Sequence, residues 1–264
     1  GNEAIARGAL EAGIKVATGY PGTPSSEILE ALIEASKTLG FYAEWSVNEK
    51  VAFEIALGAA FARQRSIVTM KAPGVNIVSD PIVSAAYCGV NAGMVIVVAD
   101  DPGPHTTQTE QDSRWYGKLV KLPMVEPSTI QDAKDFTKNS FELSEELNLS
   151  VILRTTTRVN HTIGEVVLGE IIEINRKPVF EKDLPRYVRA SMSWNRSRHE
   201  WLLSRLSLVE DYVEKYGFNI IEGEVSTIGV IVARAPYNYV LEVVERLKLE
   251  FLNLDFYTPY PRIS

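Results

Sequence analysis

Over the first 160 residues, short strand-like runs alternate with stretches of helical periodicity, and this alternation constrains the fold more than any other feature. Ile14–Ala17, Ser66–Met70, Met94–Ala99 and Val151–Thr155 read as strands, Met94–Ala99 being the strongest, and Phe41–Val47 reads as an extended piece. Between them Asn2–Ala12, Ser25–Lys37, Glu49–Arg63, Ser79 or Asp80 to Gly89, and Ile130–Leu147 read as helices. In Ser25–Lys37 the apolar residues Ile28, Leu29, Leu32 and Ile33 fall on one face, as in a helix laid on a core. Strands alternating with helices predict an α/β fold, a doubly wound and mostly parallel sheet with helices on both faces.

From Glu170 the character changes. Arg176–Leu184 is charged, carries Pro178, is followed at once by Pro185, and reads as a linker. A long amphipathic helix is predicted over Arg198–Tyr216, with Leu202, Leu203, Leu206 and Val209 near one face. A buried strand at Ile228–Ala233, a helix at Tyr239–Leu247 and a strand at Phe251–Phe256 then form a βαβ unit. Even with its flanks, a tail of about 40 residues, it is too small to be stable alone, so the chain is expected to be a fragment or its tail to dock on a partner.

Lysine and arginine number 27 against 34 acidic residues, a net charge of −7 that argues against a surface tracking nucleic-acid phosphates. Cys88 is the single cysteine; alone it can neither form an internal disulfide nor hold an iron–sulfur cluster, and its apolar surroundings read as a packed core thiol. Ile82–Ala99 approaches membrane-span length, but Ser84, Gly89, Asn91 and Gly93 interrupt it, and it reads as buried helix, turn and strand. With no signal peptide visible, a cytoplasmic location is expected.

Three loops follow predicted parallel strands, at the edge where such sheets bind ligands: Tyr20–Ser26, Lys71–Asn76 and Asp100–Arg114. In the first, Thr23 suits a helix N-cap and Pro24 the first helical position. A fourth element, Trp45–Glu49, offers Asn48 as N-cap and Glu49 in the first turn, where the helix dipole favours an ionised carboxylate; a merely stabilising helix-start acid is the plain alternative. The third loop holds Asp100, Asp101, His105, Glu110 and Asp112, which leaves a hard-metal site and a metal-dependent hydrolase open, although no known ligand spacing occurs. His161 and His199 are isolated, and there is no GxSxG, Walker or GxGxxG motif.

Taken in order, Gly1–Gly8, Gly19–Glu27, Trp45-Ser-Val-Asn-Glu-Lys, Ala99-Asp-Asp-Pro-Gly, Glu110-Gln-Asp-Ser-Arg and Arg154-Thr-Thr-Thr-Arg resemble the alpha subunits of indolepyruvate ferredoxin oxidoreductases. These are thiamine-diphosphate enzymes of the 2-oxoacid:ferredoxin oxidoreductase superfamily. The likeness covers most of residues 1–165 and resumes near Gly229–Glu242. It implies a pyrimidine-binding (Pyr) domain over 1–175, a linker and helix over 176–222, and part of a transketolase-C-terminal-like domain over 223–264. Glu49 matches the family glutamate that contacts the aminopyrimidine N1′, with which a carboxyl group can share a proton; a water-poor setting raises that carboxyl's pKa against the dipole's pull. Thr23 matches a threonine near the substrate, and His105 lies in the loop bordering the same cleft. The expected cofactor contacts are thus Glu49, Gly22, Thr23 and Asn76, the expected substrate contacts Thr23, Lys71 and His105, and no metal ligand is expected in this chain.

The implied reaction is oxidative decarboxylation of an aryl 2-oxoacid to its acyl-CoA with ferredoxin reduction, in complex with a beta subunit. Two departures stand out. Lys71-Ala72-Pro73-Gly74-Val75-Asn76 has Ala72 where the family usually has histidine, which raises pyruvate or 2-oxoglutarate as alternative substrates. The Gly-Asp-Gly…Asn motif that holds the diphosphate through Mg²⁺ and the cysteine-rich cluster segment are not in these 264 residues, so both are expected elsewhere. Without the diphosphate motif, a non-catalytic binding or assembly module on the same fold is the other reading.

Overall fold

The structure, a computed structural model, describes residues 1–223, 229–233, 235–248 and 252–256. The chain opens with α1 (Asn2–Glu11), β1 (Val16–Gly19), α2 (Ser26–Leu39), β2 (Tyr42–Trp45) and α3 (Glu49–Phe61). It continues through β3 (Ser66–Lys71), α4 (Ala72–Ile77), α5 (Ser79–Cys88), β4 (Met94–Asp100), α6 (Arg114–Val120) and β5 (Met124–Val125). Next come α7 (Ile130–Leu147), β6 (Val151–Thr156) and α8 (Thr157–Asn160). The first six strands pair in parallel in the order β2-β1-β3-β4-β6-β5. This is the expected doubly wound sheet: α1, α2 and α7 pack together on one face, and α3, α4 and α5 on the other. Every residue of β4 is buried, because a central parallel strand is covered on both faces; that is why Met94–Ala99 reads as an unbroken apolar run.

Several boundaries differ from expectation for local reasons. β1 starts at Val16 rather than Ile14, because Ile14 closes the turn after α1 through a bond from its N–H to the Ala9 carbonyl (3.4 Å). Ile82–Ala99 does form helix, turn and strand, with Cys88 buried at the end of α5, and among the described residues no helix is long and apolar enough to cross a membrane.

Residues 163–183 form no helix or strand and run over the surface as a strap. After α9 (Leu184–Tyr187), the long helix predicted over Arg198–Tyr216 is two: α10 (Met192–Leu206) and α11 (Val209–Lys215). The break comes where Ser207 turns its hydroxyl onto the Ser204 carbonyl (2.8 Å) and Leu208 N–H bonds Arg205 O (3.2 Å), a tighter turn than the α-helix. Leu202, Leu206 and Val209 stay buried across it, whereas Leu203 is 46% exposed. Beyond it, β7 (Asn219–Gly223), β8 (Gly229–Val232), α12 (Pro236–Leu247) and β9 (Leu252–Phe256) form a three-stranded sheet ordered β7-β9-β8. β7 was not foreseen; it lies in the stretch expected as linker and runs antiparallel to β9. β8 was expected to be buried but is not: Ile231 is 71% exposed, on the alternate residues that the partly buried ones do not share. Ile228 and Phe251, expected as strand ends, lie outside the described residues.

Two charge clusters hold the larger sheet at its two ends. At the C-terminal edge, Arg154 of β6 lies between Asp100 at the end of β4 and Glu126 just after β5. Its Nε and Nη2 both reach Asp100 Oδ2 (2.8 Å) and its Nη1 reaches Glu126 Oε1 (2.6 Å), while Ser113 N–H also bonds Asp100 Oδ2 (3.0 Å). All three charged side chains are nearly sealed from water. Burial opposes the charge on Arg154, but the Glu126 and Asp100 carboxylates outweigh it and hold the guanidinium pKa above its ordinary value. At the opposite edge, Glu145 of α7 accepts from Arg65 Nε (3.0 Å), Gly93 N (3.1 Å) and Arg176 Nη2 (2.9 Å), clamping the strap to the body.

Removing one member of a buried ion cluster strands the others, so Arg154→Met is expected to cost about 3–5 kcal/mol in urea denaturation, and Arg154→Lys, which keeps the charge, less. Glu145 gives a pH signature. Burial raises its pKa, but the bonds from Arg65 and Arg176 prevail and bring it from 4.5 to about 2. A folded-state pKa below the unfolded one stabilises fully above pH 4.5, and that stabilisation is lost as pH falls toward 2. Glu145→Gln is therefore expected to be less stable at pH 7 and to show a flatter loss of stability between those pH values, measured as urea midpoints across a pH series.

Candidate functional site

The chain leaves β1 for α2 on one face of the sheet and β3 for α4 on the other, although β1 and β3 are neighbours. A crevice therefore opens beyond their C-terminal ends, the usual ligand position in a doubly wound sheet. The loops after the two strands touch there: a Cβ on Gly22 would stand 2.9 Å from Cγ and Cδ of Lys71, so the glycine lies flat on the lysine stem. The first loop is closed differently from expectation. Ser25, not Thr23, is the N-cap of α2. The Ser25 N–H and hydroxyl both bond the Gly22 carbonyl (2.9 and 2.8 Å), and Gly22 N–H bonds Ser26 Oγ (2.8 Å). Two serines thus do the closing, and Thr23 and Pro24 are held in the turn ahead of the helix.

The end of β2 is pinned beside β1 by a bond from Ser46 N–H to Gly19 O (2.9 Å). Asn48 caps α3 as expected, its Oδ1 accepting from Val51 N–H (2.9 Å), which puts Glu49 in the first turn at the positive end of the helix dipole. Lys71–Gly74, expected as a loop, is instead the immediate start of α4, with Pro73 in its first turn. The early start brings Gly74 against Glu49: a Cβ at 74 would fall 2.8 Å from Glu49 Cγ and 2.9 Å from Oε1. A glycine is thus required where the α4 backbone meets the acid. Glu49 itself is half-buried, so among the described residues the water-poor setting expected for it is incomplete.

Asn76 has its side chain engaged within the protein. Its Nδ2 donates to Gln111 Oε1 (2.9 Å) and its Oδ1 accepts from the Tyr116 hydroxyl (2.6 Å), tying α4 to the third loop and to α6. That loop is internally braced rather than free. Asp101 is buried and accepts from the N–H groups of His105 (2.8 Å), Thr106 (2.7 Å) and Thr107 (3.1 Å). Asp112 is forked by Arg114, and Asp100 belongs to the Arg154 cluster. Among the described residues no three His, Cys, Asp or Glu side chains gather as a metal site.

Engagement sorts the expected residues. Asp100, Asp101, Asp112 and Asn76 are consumed by the scaffold, whereas among the described residues no hydrogen bond or ion pair engages the side chains of Glu49, Lys71, Thr23 or His105. Gly22, Thr23, Lys71 and Asn76 lie on the loops and helix start around the β1/β3 crevice, with Glu49 against Gly74 of α4, and His105 is exposed on the loop that bonds back to Thr23 through Thr106. A cavity of 860 Å³ bordered by Asn2, Arg7, Glu27, Asn160 and His161 lies elsewhere and is lined by none of these groups. Two positions were missed in sequence: Gly74, signalled by a glycine right after Pro73 at a strand–helix junction, and Asp101 as loop anchor, signalled by an Asp ahead of Pro-Gly and two threonines.

Against known proteins, the family described as pyruvate flavodoxin/ferredoxin oxidoreductase, thiamine diphosphate-binding, matches residues 7–202. Indolepyruvate oxidoreductase subunit IorA of Archaeoglobus fulgidus is 44% identical over 99% of this chain and 42% of its own length. The subunit of the same name from Pyrococcus abyssi is also 44% identical, over 99% of this chain and 41% of its own. This chain thus spans about two-fifths of the curated relatives it matches. The solved 2-oxoglutarate:ferredoxin oxidoreductase of Magnetococcus marinus, with 2-oxoglutarate, coenzyme A and succinyl-CoA bound, shares the fold. Its TM-score is 0.78 at 17% identity, covering 99% of this chain and 53% of that one. The sheet order, the crevice at its switch point and these matches agree: the chain belongs to the thiamine diphosphate-binding family of pyruvate flavodoxin/ferredoxin oxidoreductases.

Proposed function

We propose that this chain forms the aminopyrimidine-facing wall of the thiamine diphosphate site in an indolepyruvate oxidoreductase, which converts an aryl 2-oxoacid to its acyl-CoA and reduces ferredoxin. The observation that carries the reading is Glu49, a half-buried carboxylate at a helix start, unengaged among the described residues and faced by a glycine that leaves its oxygen room. Such a group fits the edge of an aminopyrimidine. Thiamine diphosphate, when bound, supplies a carbon nucleophile for the 2-oxoacid carbonyl and a sink for the electron pair released on decarboxylation.

This chain's residues do the rest of the work on that wall. Glu49 holds and returns a proton at N1′, the task of a positioned general acid–base group. Gly22 and Thr23 on one loop, with Lys71 on the opposite side, border the cofactor, while Asn76 braces α4 against the third loop. Lys71 supplies positive charge and His105 a hydrogen-bonding imidazole for the substrate carboxylate. The Mg²⁺-bound diphosphate and the iron–sulfur clusters are assigned to sequence outside these 264 residues, the first because no Gly-Asp-Gly…Asn motif occurs in them and the second because one cysteine cannot ligate a cluster. On this reading residues 1–175 are the Pyr domain, 176–222 the linker and 223–264 the beginning of a transketolase-C-terminal-like domain. Coenzyme A, ferredoxin and a beta subunit are partners, and the site is cytoplasmic.

In the complete enzyme, Glu49→Gln is expected to lower ferredoxin reduction by 2-oxoacids about 10²–10⁴-fold with an unchanged melting temperature. Turnover near wild type would overturn the role of Glu49 and favour a non-catalytic module. Gly74→Ala would set a Cβ 2.8 Å from Glu49 Cγ and 2.9 Å from Oε1, so Glu49 must move aside, and the variant is expected to fold but misplace the acid. Its turnover is expected to fall about 10–100-fold. Ala72 makes the substrate worth a panel: preference for pyruvate or 2-oxoglutarate over indolepyruvate would replace the aryl assignment while leaving the cofactor chemistry in place.

A further inference from the structure

The loop between β4 and α6 is held at two places. Near α6, Gln111 and Tyr116 grip Asn76. Near β4, one carboxylate does the holding. Asp101 is 2% exposed, and its Oδ2 accepts from the N–H groups of residues 105, 106 and 107 and from the hydroxyls of Thr106 (3.3 Å) and Thr107 (3.2 Å). Its other oxygen accepts from Thr157 Oγ1 (2.7 Å) at the end of β6. Burial works against the charge, but the donors from Thr106, Thr157, Thr107 and His105 outweigh it and hold the carboxyl well below the usual range, so it is ionised at working pH. An anion wrapped in this way fixes the backbone of three consecutive residues.

The fixed residues are those that cross the crevice mouth. The Thr106 hydroxyl lies between Asp101 Oδ2 and the Thr23 carbonyl (3.4 Å), either of which can take its one proton, so the two loops meet there, and His105 sits exposed beside that contact with its imidazole unengaged among the described residues. We propose that Asp101 is a positioning residue for substrate: its carboxylate fastens His105–Thr107 against the Thr23 loop and so presents His105 to the carboxylate of a 2-oxoacid. Asp101 touches no substrate itself and acts through His105. The inference rests on the function proposed above.

The test is a double-mutant cycle in the complete enzyme with Asp101→Asn, His105→Ala and both together. Asp101→Asn preserves size and removes the charge. It is expected to raise KM for the 2-oxoacid at least about tenfold while kcat stays within about threefold, since it removes ground-state binding. The double variant is expected to be no worse than His105→Ala alone, because residues acting through one another are not additive. Amide exchange at residues 105–107 is expected to accelerate by about tenfold or more in Asp101→Asn, a readout that needs no turnover. If Asp101→Asn fails to assemble, Thr106→Val removes the hydroxyl links to Asp101 and Thr23 alone, and about a threefold rise in KM is expected. An unchanged KM in the variant tested, or additive effects in the cycle, would overturn the positioning role. These results are separable from failure of the underlying reading, which would appear as a wild-type enzyme, or a Glu49→Gln enzyme, whose 2-oxoacid turnover contradicts the role of Glu49.

Discussion

The working edge of this molecule depends on a single buried guanidinium. Arg154 binds Asp100 and Glu126 in a space nearly closed to water, and Asp100 also receives the N–H of Ser113. The ends of β4 and β6, the segment after β5 and the entrance to α6 are therefore fixed relative to one another by charge-assisted bonds rather than by apolar packing alone. Asp101 is the next residue after this anchor, and Thr157 follows three residues after Arg154, so the cluster that secures the edge also locates the loop anchor. An apolar replacement could match such a cluster in stability, but it would not fix the directions of three chain segments at once.

From that anchor the site divides its polar groups by task. Carboxylates at the ends of β4 and in the loop beyond it are spent on the scaffold, while Glu49, at the start of α3, is left to face outward from a capped helix terminus. Asn48 satisfies a backbone donor that would otherwise compete for the acid next to it, and Gly74 leaves the acid its space. The crevice is open, with Glu49 half-buried and Tyr20, Val47, Ile77 and Trp115 exposed at the same edge.

Legibility in the sequence followed the physical range of each signal. The predicted bounds of α7, Ile130–Leu147, match the structure, where Thr129 and Asp132 form a reciprocal capping box at its start and Asn148 a left-handed cap at its end, signals carried by adjacent residues. Asn48 and Glu49 were legible for the same reason. The turn at Gly22 was not, since Thr23, Ser25 and Ser26 are all competent caps and the choice among them depends on which hydroxyl reaches Gly22. α10 and α11 read as one helix because the apolar spacing continues across Ser207, with Leu206 and Val209 buried on both sides of it, and only the backbone turn at Ser207 and Leu208 makes the break. β7 escaped notice because its strand identity comes from pairing with β9, a segment distant in the chain.

The sequence by itself determined the parallel α/β fold, the acid at the start of α3 and the loops that follow the strands, because periodicity, caps and strand burial are local properties that each segment carries within itself. Tertiary structure decided which polar residues were available for chemistry. Asp100, Asp101, Asn76 and His105 look equally eligible along the chain, yet three of them are claimed by Arg154, by the amides of residues 105–107 and by Gln111 with Tyr116. Whether a carboxylate or amide binds a ligand or a protein donor depends on what the folded chain brings within hydrogen-bonding distance, and only the assembled sheet edge sets that.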